Sequence, residues 1–205
     1  MSCALKKITR SEQKRLDIIA AARTAFNDYG VQGTSMDKLA EVAGVSKRTV
    51  YNHFASKEAL VTYLVGDLWR QALVHSDHQY CANTPLSVQL EQILLSEVRV
   101  MASQSYIDLS RVAFGYLLFN AEILREVLEE FADTETVLFK WLSAAKDDGK
   151  LQIQHVELAN KQLHNLIKGS CFWPQLMQID AVLDDSAQQQ LVSSTVAMFL
   201  SHYQK

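Results

Sequence analysis

Seven consecutive residues, Lys47-Arg48-Thr49-Val50-Tyr51-Asn52-His53, offer two cations, two hydroxyls, an amide and an imidazole, and no carboxylate. A guanidinium pairs bidentately with guanine and an amide with adenine, while ammonium and hydroxyl groups meet phosphate oxygens. Such a run suits recognition of a polyanion and its base edges, not bond-making. Taken alone, Lys47 and Arg48 fit a solvated helix face equally well, and only their setting decides. Elsewhere the reactive side chains are scattered. His75 and His78 stand three apart with Asp77 nearby, a spacing a metal could use, but the sequence pairs no third ligand with them, and His155 and His164 add none. Cys3, Cys81 and Cys171 form no close pair and no CxxC, so neither a disulfide framework nor a zinc site is suggested. Cys81 could serve as a redox switch, yet the sequence shows no low-pKa setting for it. No GxSxG, HExxH, P-loop or dinucleotide-binding glycine pattern occurs. The expectation is a chain without catalytic residues, metal or cofactor.

The elements that must hold the seven residues can be read from caps and periodicity. Thr34 or Ser35 caps a helix with Asp37 in its first turn, where the positive end of the dipole favours an acid. This helix buries Met36, Leu39, Ala40 and Ala43 and ends at Gly44. Ser46 caps the next, from Lys47 to His53. Two short helices joined by a glycine-containing turn make a helix-turn-helix. Leu39, Ala40, Val45, Val50 and Phe54 form the small core that locks their angle. Lys47, Arg48, Thr49, Tyr51, Asn52 and His53 are left outside. Upstream, Thr9 and Glu12 make a capping box for a helix beginning near Arg10. Its buried stripe is Ile18, Ile19, Ala22, Ala25, Phe26 and Tyr29, and Gly30 is its C-cap. Downstream, Ser56 caps a fourth helix that runs past Trp69, and Asn83-Thr84-Pro85 breaks the chain. Helices follow over Leu86 to Ser103 and Ile107 to Phe119. A long one over Ala121 to Asp147 carries the stripe Leu124, Leu128, Phe131, Leu138, Trp141, Leu142 and Ala145. Another covers Val156 to Phe172 and stops at Pro174. The last begins at Asp185, with Gln188 as capping-box partner, and ends near Tyr203. No segment alternates with period two. The fold class is therefore all-α with about nine helices. A helix-turn-helix head is expected over residues 1–56 and a helical body over 57–205, to which the resemblance named below assigns ligand binding and dimerisation.

From Ile18 to Leu60 the chain resembles the DNA-binding domain of the TetR family. The resemblance rests on Ala21-Ala22, Phe26, Gly30, Thr34-Ser35, Leu39-Ala40, Ala43-Gly44-Val45-Ser46, Thr49-Val50-Tyr51, Phe54 and Ser56-Lys57-Glu58-Ala59-Leu60, in register without a gap. The run Gly169-Ser170-Cys171-Phe172-Trp173-Pro174 is similar to the C-terminal domain of AefR-type members. By this resemblance Thr34 and Ser35 would present hydroxyl and N–H groups to a phosphate at a helix N-terminus. Lys47 and Arg48 would start the recognition helix in the major groove, with Arg48 reading a base. Thr49 would touch a base or a thymine methyl, Tyr51 and His53 phosphates, Asn52 adenine or backbone, and Lys57 phosphate. Many relatives carry a small residue at the position of Arg48, so the base it reads does not carry over. The arm Lys6, Lys7, Arg10 either reaches a minor groove or is a solvated tail. The resemblance further implies a pocket for a small-molecule effector, with Trp69, Phe114, Leu118, Trp141 and Phe172 as lining residues. Ordinary core is the alternative for each. It also implies a homodimer in which the last two helices pack on their two-fold mates. Leu158, Leu163, Leu166 and Ile167 supply one apolar face, and Leu191, Val192, Val196, Phe199 and Leu200 the other. Closing their own domain is the alternative.

Charge is distributed to match. The chain carries −3 overall, but residues 1–60 hold 10 Lys and Arg against 6 Asp and Glu, a net of +4, and residues 61–205 hold 10 against 17, a net of −7. A basic head on an acidic body expects a polyanion at the head alone. Apolar residues at 48%, with only 7 Gly and 2 Pro, indicate a globular helical chain. The first residues lack the apolar stretch of a signal peptide, and no run of about 18 apolar residues occurs, so no membrane span and a cytoplasmic location are expected. The expected function is sequence-specific transcriptional regulation on double-stranded DNA at a palindromic operator, by repression released by a small molecule. A helical ligand-binding protein without a role at genes and a helical enzyme are the other classes. The carboxylate-free run argues against both.

Overall fold

A computed structural model describes residues 9–72, 78–131 and 136–204, with the side chains at 69, 72, 127, 128, 130 and 131 outside the description. Cys3, Lys6, Lys7, His75, Asp77 and the side chains of Trp69, Leu128 and Phe131 therefore lie outside the described residues. The described residues form eleven helices. They are α1 (Arg10–Gly33), α2 (Met36–Val42), α3 (Lys47–His53), α4 (Lys57–Ala72), α5 (Leu86–Met101) and α6 (Gln104–Leu117). Then come α7 (Ala121–Phe131), α8 (Val137–Asp147), α9 (Val156–Cys171), α10 (Trp173–Leu176) and α11 (Asp185–Tyr203). Among the described residues there is no strand, only an isolated bridge between Leu151 and Gln204. The all-α expectation holds.

Local chemistry sets the boundaries. Thr9 and Glu12 form the expected capping box, with Glu12 N donating to Thr9 Oγ1 at 3.1 Å and Thr9 N to Glu12 Oε2 at 2.7 Å. Gly30 interrupts α1 at φ 69° and ψ 165°, a region essentially confined to glycine that costs an L side chain roughly 1–3 kcal/mol. A last turn reaches Gly33 beyond it. The long helix expected over Ala121 to Asp147 is two helices. Thr136 adopts extended backbone and its Oγ1 accepts from Phe139 N at 3.1 Å, giving α8 a cap of its own. Pro174 does not merely stop α9. It sits in the first turn of the short α10, where a missing N–H removes no intrahelical bond. The cap of α11 is Asp184, one residue earlier than expected, with Oδ1 accepting from Ala187 N at 2.8 Å.

Two compact units emerge from the packing: the residues up to Asp67 together with Asp108–Leu128, and Leu68–Ile107 together with Glu129–Lys205. Parts of α4, α6 and α7 belong to each unit. The first unit buries Ile18, Ala22, Phe26, Leu39, Val50, Leu60 and Leu64. Arg15 lays its guanidinium 4.4 Å from the Tyr63 ring centroid and 5.1 Å from that of Phe54, and Arg23 pairs with Asp67. Tyr29, expected on the buried stripe of α1, is instead 59% exposed, because it borders a cavity and not packed side chains.

The second unit buries Leu90, Ile93, Leu94, Leu138, Trp141, Leu142, Leu163 and Ile167, with α5 packed on α8, α9 and α11. Gln89 fixes the expected chain break. It donates to Cys81 O and Thr84 O at 2.9 and 2.7 Å, and its Oε1 accepts from Cys81 N and from Trp141 Nε1. Among the described residues no helix is long and apolar enough to cross a membrane.

Candidate nucleic-acid interface

The helix-turn-helix forms from its own caps and core. Ser35 Oγ accepts from Lys38 N at 3.1 Å to open α2. Gly44, at φ 64°, turns the chain out of α2, and Val45 N returns a bond to Ala40 O at 3.0 Å. Ser46 Oγ accepts from Thr49 N at 3.2 Å to open α3. Leu39, Ala40, Val50 and Phe54 are buried and Val45 half-buried, so the small core assembles as expected. Fixing the α2–α3 angle this way gives the outer side chains of α3 a defined presentation.

Arg48, Asn52 and Tyr51 stand exposed on α3, and Thr49 and His53 are half-buried. The Thr49 hydroxyl lies 2.8 Å from Ser46 Oγ, so part of its bonding is local. Lys47 is exposed but bonded, with Nζ 2.7 Å from Asp37 Oδ1. That hydrogen bond, and the charge behind it, raise the Lys47 pKa. A carboxylate from the first turn of α2 thus reaches a surface whose own helix carries none. Asp37 is the neighbour of this surface that sequence reasoning missed. It was visible only as a helix-start acid, and its reach to Lys47 depends on the interhelical angle.

Thr34 corrects the expectation of a phosphate contact. It is 1% exposed, and its hydroxyl donates to Gly30 O at 2.8 Å and Ala25 O at 3.2 Å. Its N–H goes to Val31 O. The residue ties the end of α1 to the start of α2, and only Ser35 remains on the outside. Lys57 Nζ donates to Val31 O at 3.1 Å, leaving two further donors. Ser35, Tyr51, Ser56, Lys57 and the carboxylate of Glu58 line one recess of about 440 Å³, where the N-termini of α2 and α4 both open. Backbone N–H groups at a helix start and a lysine together favour an anion.

The expected effector-lining residues are not equivalent in place. Phe114 is half-buried on α6. Leu118, after the end of α6, is 74% exposed. Trp141 is 1% exposed, bonded to Gln89 and edge-on to Tyr80, and Phe172 is buried between Tyr106 and Trp173. Both are core of the second unit. The apolar faces of α9 and α11 divide. Leu163, Ile167, Val192, Val196, Phe199 and Leu200 are buried within the chain, whereas Leu158, Leu166 and Met198 remain exposed. Among the described residues no group of three or more His, Cys, Asp and Glu could hold a metal ion.

An all-helical chain that holds a cationic, hydroxyl-bearing helix on a helix-turn-helix core defines a DNA-binding regulator. Residues 18–64 match the family described as bacterial regulatory proteins, tetR family, and residues 88–205 match the AefR-like transcriptional repressor C-terminal domain. A TetR family transcriptional regulator from Pseudomonas syringae pv. tomato str. DC3000 superposes with a TM-score of 0.82 at 37% identity, covering 94% of this chain and 97% of that one. The HTH-type transcriptional regulator RutR of Escherichia coli O157:H7 is 30% identical over 65% of this chain and 64% of its own. UidR of Escherichia coli strain K12, another HTH-type transcriptional regulator, is 30% identical over 58% and 54%. The chain thus spans between half and two thirds of these curated relatives' lengths. It belongs to the TetR family of DNA-binding transcriptional regulators, and its named relatives are regulators, not enzymes.

Proposed function

We propose that the protein acts in the cytoplasm as a homodimeric repressor that occupies a palindromic operator and leaves it when a small molecule binds. The exposed face of α3 carries the reading: Arg48, Asn52 and Tyr51 stand free of the core at the helix a helix-turn-helix presents to the major groove. Arg48 reads a base edge, Asn52 a base or backbone, and Lys47, Thr49 and His53 support them. Ser35, Tyr51 and Lys57 hold a phosphate at their shared recess. Residues 1–56, joined by Lys57 at the start of α4, contact DNA, and the remainder of 57–205 pairs and regulates. Exposed Leu158, Leu166 and Met198 on α9 and α11 support pairing with a second copy. Two heads then meet half-sites about 34 Å apart. A ligand that favours another head separation must bind the released state about 5 kcal/mol more tightly to switch most of the population.

Selection of bound duplexes from a random pool, with the full chain at physiological salt, tests this. Enrichment of one inverted repeat with half-sites about one helical turn apart is the expected outcome. Recovery of unenriched sequence would remove the operator-reading role.

A further inference from the structure

Within the first unit, the C-terminal end of α1 and the C-terminal half of α6 wall a cavity of about 420 Å³. Phe26 and Tyr116, both buried, contribute aromatic walls, and Tyr29 and Phe119, 59% and 87% exposed, flank it toward solvent. Gly30 and Gly115 lie along the walls, and a Cβ built on either meets nothing within 4 Å. The space is thus not a tight helix crossing that glycine permits. It is open volume bounded by bare backbone at the glycines, by rings, and by the amides Asn27, Gln32 and Asn120. Arg111 is the cation of the lining, with Nη1 3.4 Å from Asp108 Oδ1. The volume falls within the roughly 300–1,000 Å³ of small-molecule sites, which combine apolar walls with few polar groups.

We propose that this cavity binds a flat aromatic compound bearing an acidic group. Its ring lies among Phe26, Tyr29, Tyr116 and Phe119, and its acid faces Arg111. Aromatic walls favour a planar apolar body, and the guanidinium complements an anion bidentately. The cavity wall is also a structural junction. Gly30 O accepts the Thr34 hydroxyl and Val31 O accepts Lys57 Nζ, and these bonds set the starts of α2 and α4. A ligand here acts directly on the head. That regulatory consequence rests on the repressor reading above, and the binding itself does not.

Two fluorescent dyes separate the elements of the proposal: anilinonaphthalene sulfonate, and phenylnaphthylamine, which has the same rings and no charge. Each is titrated into the full-length wild type, Gly115→Ala, Gly115→Leu and Arg111→Gln, with melting midpoints recorded as a check of folding. The sulfonate is expected to bind the wild type saturably, to lose about tenfold or more in affinity in Gly115→Leu, and to change little in Gly115→Ala. Arg111→Gln is expected to weaken the sulfonate about fivefold or more and to leave the uncharged dye within about twofold. Undiminished sulfonate binding in folded Gly115→Leu overturns the site. Equal effects of Arg111→Gln on both dyes overturn the acidic ligand class, and this arm decides even if Gly115→Leu fails to fold. With a selected duplex, the sulfonate should lower DNA affinity in the wild type and not in Gly115→Leu. Dye binding with no effect on DNA affinity refutes the regulatory consequence, whereas dye binding without any specific DNA binding refutes the repressor reading and leaves the site standing.

Discussion

Replacing Thr34 by valine separates a structural clamp from a phosphate contact. Valine matches threonine in volume, so no cavity opens, and the change reduces to the loss of one hydroxyl. That hydroxyl is buried and shared between Gly30 O at 2.8 Å and Ala25 O at 3.2 Å. Removing a buried donor while its acceptors stay in place costs about 1–3 kcal/mol. For a chain of this length each kcal/mol lowers the melting midpoint by about 2–4 °C, so a drop of about 2–12 °C is expected. The shift is read by circular dichroism without DNA. DNA affinity, measured well below the midpoint, should change less than about threefold, because a buried hydroxyl offers nothing to a phosphate. Thr34→Ser keeps the hydroxyl and should recover part of the loss. An unchanged midpoint with a tenfold loss of DNA affinity would refute the clamp and put the hydroxyl on the DNA.

Three further outcomes follow from the same geometry. Asp37→Asn removes the carboxylate that holds Lys47 and a negative charge from the α3 face. DNA affinity at low salt should rise a few-fold and the salt slope should steepen by about one counterion, which a salt titration reads. Leu166→Asp places a charge on the exposed apolar edge of α9, and sedimentation should show monomer at micromolar concentration where the wild type is a dimer. The cysteines should differ in reactivity. Burial raises the Cys171 thiol to about 12, whereas the Thr84 hydroxyl and the Asn83 backbone lower that of exposed Cys81. Iodoacetamide near pH 8 should therefore label Cys81 and spare Cys171, as read by peptide mass spectrometry. The unfolded chain gives up the Cys171 proton near the ordinary value of 9.0 and the folded chain holds it to about 12. Its contribution to stability is full below 9 and is lost as pH rises toward 12.

The recognition unit was legible because its signals are local. Ser35 and Ser46 cap, Gly44 turns, and Leu39, Val50 and Phe54 repeat at helical spacing, so element and face follow from neighbouring residues. Most of what lay beyond reading depended on how packed elements meet, even where the partners are near in sequence. Periodicity put Tyr29 on the inner stripe of α1 but not the cavity beside it. Thr34 and Ser35 are equivalent as cap candidates, and only the packed end of α1 turns one inward. The Asp37–Lys47 pair needs the angle between two helices. Thr136 was hidden because an apolar stripe of correct period runs across both α7 and α8. The effector residues fared worst, since an aromatic at a core period looks alike whether it faces packed side chains or open space.

The central claim is that the exposed side of α3 reads DNA. Fluorescence anisotropy of a selected duplex across a salt series, for wild type and Arg48→Ala, tests it most directly. Wild-type affinity should fall steeply with salt. Arg48→Ala should lose about 1–3 kcal/mol, roughly five- to 150-fold, at one base pair of each half-site while discrimination elsewhere persists. Equal affinity of the two proteins for cognate and mutated sites would contradict the account.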